Sequence, residues 1–176
     1  AASDVYKRQM KARILVWLVA LFCCHNVLFA QKEFVNASAR LSGHPRILLQ
    51  KGEEKALKKV IMKDAVWKDI HQSLVDEAGE IVKLPLNERI KTGRRLLSVS
   101  RENLRRIFIL SYAYRMTGKN EFLKRAESEM LKAASFSDWN PSHFLDVGEM
   151  TMALAIGYDW LYPQLSVQTK KLSLIH

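Results

Sequence analysis

The chain has 176 residues, enough for one domain with a real core, and carries 28 basic against 18 acidic residues for a formal net charge of +10. Its only cysteines, Cys23 and Cys24, stand near the start, which excludes a Cys-rich metal site or a disulfide framework from everything after them. A basic surface suits an acidic partner: an anionic polysaccharide, a nucleic acid or a membrane surface.

Residues 1–9 (AASDVYKRQ) and 172–176 (LSLIH) resemble translated adapter sequence, so both are expected to be foreign, with translation starting at Met10. Lys11 and Arg13 then form a short positive region, and residues 14–24 an apolar run too short to span a bilayer comfortably. Ala30 offers a small residue at a cleavage point before Gln31. Residues 10–30 therefore read as a secretory signal peptide, with a retained membrane anchor as the alternative. The product is expected to be exported, periplasmic or extracellular, and not stably inserted in the membrane. Removing residues 1–30 takes away Lys7, Arg8, Lys11, Arg13 and Asp4 and leaves 24 basic against 17 acidic residues, a net +7. Export turns the expected partner from nucleic acid towards an acidic polysaccharide.

Residues 31–43 form a polar lead-in without periodicity. The segment HPRILL, residues 44–49, reads as extended or turn, because the residue before a proline avoids the α region. Helical signals begin at Gly52. Glu53 and Glu54 suit a first turn, and Leu57, Val60 and Ile61 share one face. A second helix is expected over residues 65–82, with Trp67, Ile70, Leu74, Ala78 and Ile81 on its stripe. Pro85, Asn87 and Gly93 mark a connection. Ser98 or Ser100 is expected to cap a third helix carrying Leu104, Ile107, Phe108, Leu110, Ser111 and Tyr114, with Gly118 closing it. Asn120 is expected to cap a fourth, with Phe122, Ala126, Met130 and Ala133 along one side. Pro141 is placed to open a fifth helix over residues 142–161, apolar on most faces and so expected to be surrounded by others. Pro163 stops it, and Ser166 can cap a sixth. The pattern is all-α, with helical hairpins joined by short loops over residues 44–171. Such hairpins stack into a solenoid or close into an α/α toroid.

The chain lacks the dinucleotide-binding, phosphate-loop, HExxH and GxSxG motifs, and no cofactor or metal is expected. Polar groups concentrate instead in DWNPSHFLDVGEM, residues 138–150, at the mouth of the most apolar helix. His143 is expected in its first turn, where free amides favour anions. Asp146 lies three residues on, on the same face, and can orient the imidazole. Glu149 is rotated away from it. Asn140 can cap the helix or point into a cleft. On the same residues, Asn before Pro is often a turn residue, and Asp146 and Glu149 can serve packing between helices.

The blocks HPRILL, LLSVSRENLRRIFILSYAYRMTG and DWNPSHFLDVGEMTMALAIGYDWLY resemble the N-terminal helical region of heparinase II/III-like polysaccharide lyases, a likeness covering about residues 44–165. It implies part of an incomplete α/α toroid, with a C-terminal β-sandwich expected elsewhere in the protein. It also implies β-elimination on a uronic-acid polysaccharide of the heparin or heparan sulfate kind. Such chemistry requires neutralising the uronate carboxylate, a base for the C5 proton and an acid for the leaving oxygen. Carried over, His143 is the catalytic candidate, Asn140 binds a carboxylate or hydroxyl, and Asp146 or Glu149 holds His143 or a sugar hydroxyl. The catalytic tyrosine and a second histidine are expected beyond this stretch. The alternatives are a non-catalytic helical-repeat scaffold, which should repeat its pattern about every 34 residues, and an α/α-toroid glycosidase with paired carboxylates.

Overall fold

The structure, a computed structural model, describes residues 43–171. The leader and tail expected from the sequence lie outside these residues. Among the described residues six helices follow in order: α1 (Glu54–Lys63), α2 (Ala65–Lys83), α3 (Leu97–Thr117), α4 (Asn120–Ala134), α5 (Phe144–Leu161) and the short α6 (Val167–Lys170). The unit is mainly helical. Among the described residues the sole β pairing is an isolated bridge between Thr92 and Arg95.

Asp64 ends α1 and starts α2: its extended backbone breaks the helix, and its carboxylate accepts the Val66 and Trp67 amides at 2.9 and 3.2 Å. That carboxylate satisfies orphan donors of the first turn. The apolar stripe of α2 is buried only at its C-terminal half. Ala78 and Ile81 are sealed, whereas Trp67 and Ile70 are nearly half exposed. Val60 is likewise exposed, unlike its neighbour Ile61, because α1 lies at the margin of the packing.

α3 begins at Leu97, earlier than a Ser98 or Ser100 cap would allow, and no side chain caps it. The Leu96 amide instead donates to the Asp146 carboxylate at 2.7 Å, so a distant residue does the work of a local cap. Gly118 closes α3 in the left-handed conformation at φ 73°, its amide bonding Tyr114 O at 2.7 Å. Asn120 is the first residue of α4 rather than its cap; Lys119 holds that place, its amide donating to Thr117 Oγ1 at 3.2 Å. Ser166 does cap α6, accepting the Thr169 amide at 3.1 Å.

α3 and α5 pack most extensively, with α4 across both and α2 on the far side of α3. Gly157 permits this: a Cβ there would sit 2.6 Å from Ile107 Cγ2 and 2.8 Å from Met130 Sδ. Ile107, Leu110, Ala113, Phe122, Ala126, Met130 and Ala153 form the main core. A second cluster of Leu96, Val99, Ala133, Phe136 and Met150, with Trp139 against it, underlies the start of α5.

Two polar networks fix the loops. Glu129, fully buried on α4, accepts Arg106 at 3.0 Å and Arg125 at 2.7 Å. The same guanidiniums donate to Pro85 O and Val82 O, which ties the chain after α2 to α3 and α4. At the other end of α5, Asp159 accepts His44 Nδ1 at 2.6 Å and the Arg46 and Ile47 amides at 2.7 and 3.0 Å. Trp160 Nε1 adds a bond to Ile47 O at 2.9 Å. The HPRILL segment is thus docked through its own backbone.

Candidate functional site

The site residues converge on one carboxylate. Asp146, in the first turn of α5, is fully buried. Its Oδ2 accepts the Leu96 amide at 2.7 Å and Asn140 Nδ2 at 2.6 Å, and its Oδ1 accepts His143 Nδ1 at 2.7 Å. Burial alone would raise the Asp146 pKa. The hydrogen bonds from Asn140, the Leu96 amide and His143 outweigh it and hold the carboxyl below its usual range. Asp146 is therefore an anion at neutral pH, and the nitrogen facing it, Nδ1, is the protonated one. Nε2 is left as the outward group of a ring that is 29% exposed, without a partner among the described residues.

The local backbone explains this aim. Asn140 adopts φ 59°, a left-handed conformation that asparagine tolerates, and His143 N bonds Asn140 O at 2.9 Å. Pro141 lies inside this turn rather than at the first helical position, so His143 is the N-cap of α5 and not a first-turn residue. Its carbonyl accepts the Asp146 amide at 2.9 Å, which locks the cap and the carboxylate together. Asp138 Oδ1 tightens the turn by accepting the Asn140 amide at 2.6 Å.

Asn140 itself is 3% exposed. Its amide nitrogen donates to Asp146 and, at 2.8 Å, to Arg94 O, while its oxygen accepts Ser142 Oγ at 3.1 Å. It joins the 92–95 turn to the start of α5. Glu149 lies one turn further along, paired with Arg101 Nε at 3.0 Å. Its second oxygen is enclosed and accepts no hydrogen bond among the described residues. The structure thus brings His143, Asn140 and Asp146 together and leaves Glu149 apart, on a separate ion pair.

Sequence reasoning missed the part played by residues 92–96, whose backbone supplies the Leu96 amide to Asp146 and the Arg94 carbonyl to Asn140. No side-chain pattern signals a backbone amide and a carbonyl as partners. Asp159, near the end of α5, grips the backbone after His44.

A separate cleft lies elsewhere. A cavity of about 370 Å³ is lined by Leu48, Leu49, Leu57, Leu74, Phe108, Ile109, Tyr112 and Trp160, with no charged side chain among them. Trp160 lies at the opposite end of α5 from His143, roughly 26 Å along a helix of this rise. Such a cavity is unsuited to a polyanion. Among the described residues no group of three His, Cys, Asp or Glu side chains is placed to hold a metal, and no helix is long and apolar enough to cross a membrane.

Fold and site together define a mainly helical domain whose buried carboxylate presents one outward imidazole. No family model matches the chain, and no curated protein matches it.

Proposed function

We propose that the protein is an exported polysaccharide lyase acting on an acidic, uronate-containing polysaccharide, and that the described helices are part of its α/α toroid. The observation that carries the reading is the imidazole of His143. Its Nδ1 is fixed by a buried, ionised Asp146 at 2.7 Å, and its Nε2 faces outward. A ring held this way, when protonated, donates to the substrate carboxylate without having to reorganise. Elimination removes the C5 proton, forms the C4–C5 double bond and expels the 4-linked sugar. The negative charge that grows on the uronate carboxylate as the C5 proton leaves is the charge His143 neutralises. Asp146 and Asn140 act as positioning residues, since both are buried and fully bonded. The proton-transferring groups are not assigned to described residues.

The glycosidase alternative calls for two carboxyls facing each other across a cleft. Asp146 has both oxygens engaged inside, and Glu149 sits on the same helix paired with Arg101. That arrangement favours the lyase. The test is to incubate the protein containing this chain with sulfated and non-sulfated uronate polymers and follow ultraviolet absorbance of unsaturated uronate ends. Product carrying that double bond is expected. Saturated reducing ends would mean hydrolysis, and no cleavage would leave a binding scaffold; either result would overturn the proposal.

A further inference from the structure

Two arginines around the site are already spent. Arg89 binds Asp138 Oδ1 at 2.7 Å and also donates to Asp138 O at 2.9 Å, and Arg101 holds Glu149. Lys91 adds to the positive field that, after Arg89 and the Asn140 amide, holds the Asp138 carboxyl below its usual range. Arg94 and Arg95 differ. Both are exposed, and neither guanidinium has a partner among the described residues.

Their backbone, in contrast, is fixed. Thr92 N bonds Arg95 O at 2.9 Å and Arg95 N bonds Thr92 O at 3.2 Å, with Gly93 between them at φ 60°. That left-handed position suits glycine. Arg94 O is held by Asn140, and the Leu96 amide by Asp146. The carboxylate that fixes the His143 ring therefore also fixes the turn bearing the two unspent guanidiniums. Only the side chains of Asn140 and Asp146 separate the Arg94 carbonyl from the imidazole.

An unpaired, planar guanidinium on a turn held by these hydrogen bonds matches a sulfate or carboxylate, which it can take in two parallel hydrogen bonds. A polymer carrying an anion on successive sugars would meet the imidazole and the turn at once. We infer that the 92–95 turn is an anion-binding subsite, in which Arg94 and Arg95 take a sulfate or carboxylate on a sugar neighbouring the one that meets His143. This rests on the lyase reading and assigns it a specificity-determining element.

The test uses the protein containing this chain, with immobilised sulfated and non-sulfated uronate polymers as probes over a range of salt. Arg94→Gln/Arg95→Gln should raise Kd about tenfold, the scale of losing charge-assisted bonds at an exposed site. The slope of log affinity against log salt should become shallower by about one per arginine. Arg94→Lys/Arg95→Lys should recover much of the affinity, and thermal unfolding should be unchanged in both. A loss confined to the sulfated polymer assigns the subsite to sulfate; an equal loss on both assigns it to carboxylate. Lys58→Gln/Lys59→Gln on α1 removes the same charge from an exposed stretch away from the site and sets the non-specific baseline. If the arginine pair matches that baseline while the wild type still binds and cleaves, the subsite is wrong and the lyase reading stands. If the wild type binds neither polymer, or binds duplex DNA as tightly, the lyase reading falls and the subsite with it.

Discussion

Replacing Asp146 by Ala removes the acceptor on which the whole start of α5 converges. Two buried donors lose their partner: the Leu96 amide and one N–H of Asn140. Each unsatisfied buried donor costs about 1–3 kcal/mol. His143, partly exposed, can turn to water and adds less. The expected loss is about 3–5 kcal/mol, a large share of the roughly 5–15 kcal/mol that holds a typical domain together. Chemical denaturation followed by far-ultraviolet circular dichroism at neutral pH measures it. Asp146→Asn keeps one acceptor and should lose roughly half as much. A pH arm checks the ionisation. The folded Asp146 pKa is depressed, so its contribution is complete above the unfolded carboxyl value of about 3.9 and disappears as pH falls through the folded value. The wild type should therefore lose stability in acid more steeply than Asp146→Asn. An alanine variant within about 1 kcal/mol of wild type at neutral pH would refute this reasoning, since stranded buried donors cannot cost so little.

Three further substitutions probe the frame. Gly157→Ala brings a methyl against Ile107 and Met130, and overpacking of about 1–3 kcal/mol should exceed the gain of about 1 kcal/mol in helix propensity; a raised melting temperature would contradict the close approach. Glu129→Ala leaves the Arg106 and Arg125 guanidiniums without their shared acid and should cost about 3–5 kcal/mol by denaturant titration; a loss under about 1 kcal/mol would mean that the triad is not formed. Asp159→Ala should release residues 44–47, read as faster proteolytic cutting there while the helical signal persists; unchanged cutting would show that the segment is held by other contacts.

Much of the helical layout was legible because periodicity and punctuation act locally. The stripe of α4, the Gly118 stop and the Ser166 cap each depend on residues within one or two turns. Where the stripe of α2 runs on past the packing, sequence overstates burial: Trp67 and Ile70 fit the period yet remain exposed among the described residues. Caps failed where a partner came from afar. Nothing near Leu96 announces that a carboxylate fifty residues away will take its amide. The site was legible as a cluster, because Asn140, His143 and Asp146 are close in sequence. Its inward and outward members were not, because Asn140 turns left-handed and spends its amide inside.

The most direct test of the proposed chemistry is turnover by His143→Ala in the protein containing this chain, measured together with its thermal unfolding. Nε2 has no internal partner among the described residues, and Asp146 keeps its bonds from Asn140 and the Leu96 amide when the Nδ1 bond is lost, so truncating this partly exposed ring should lower the melting temperature only modestly. If the imidazole neutralises carboxylate charge that grows in the transition state, kcat should fall about 10²-fold or more. Near-normal kcat per folded molecule, with a lowered melting temperature, would make His143 a structural cap and remove it from the chemistry.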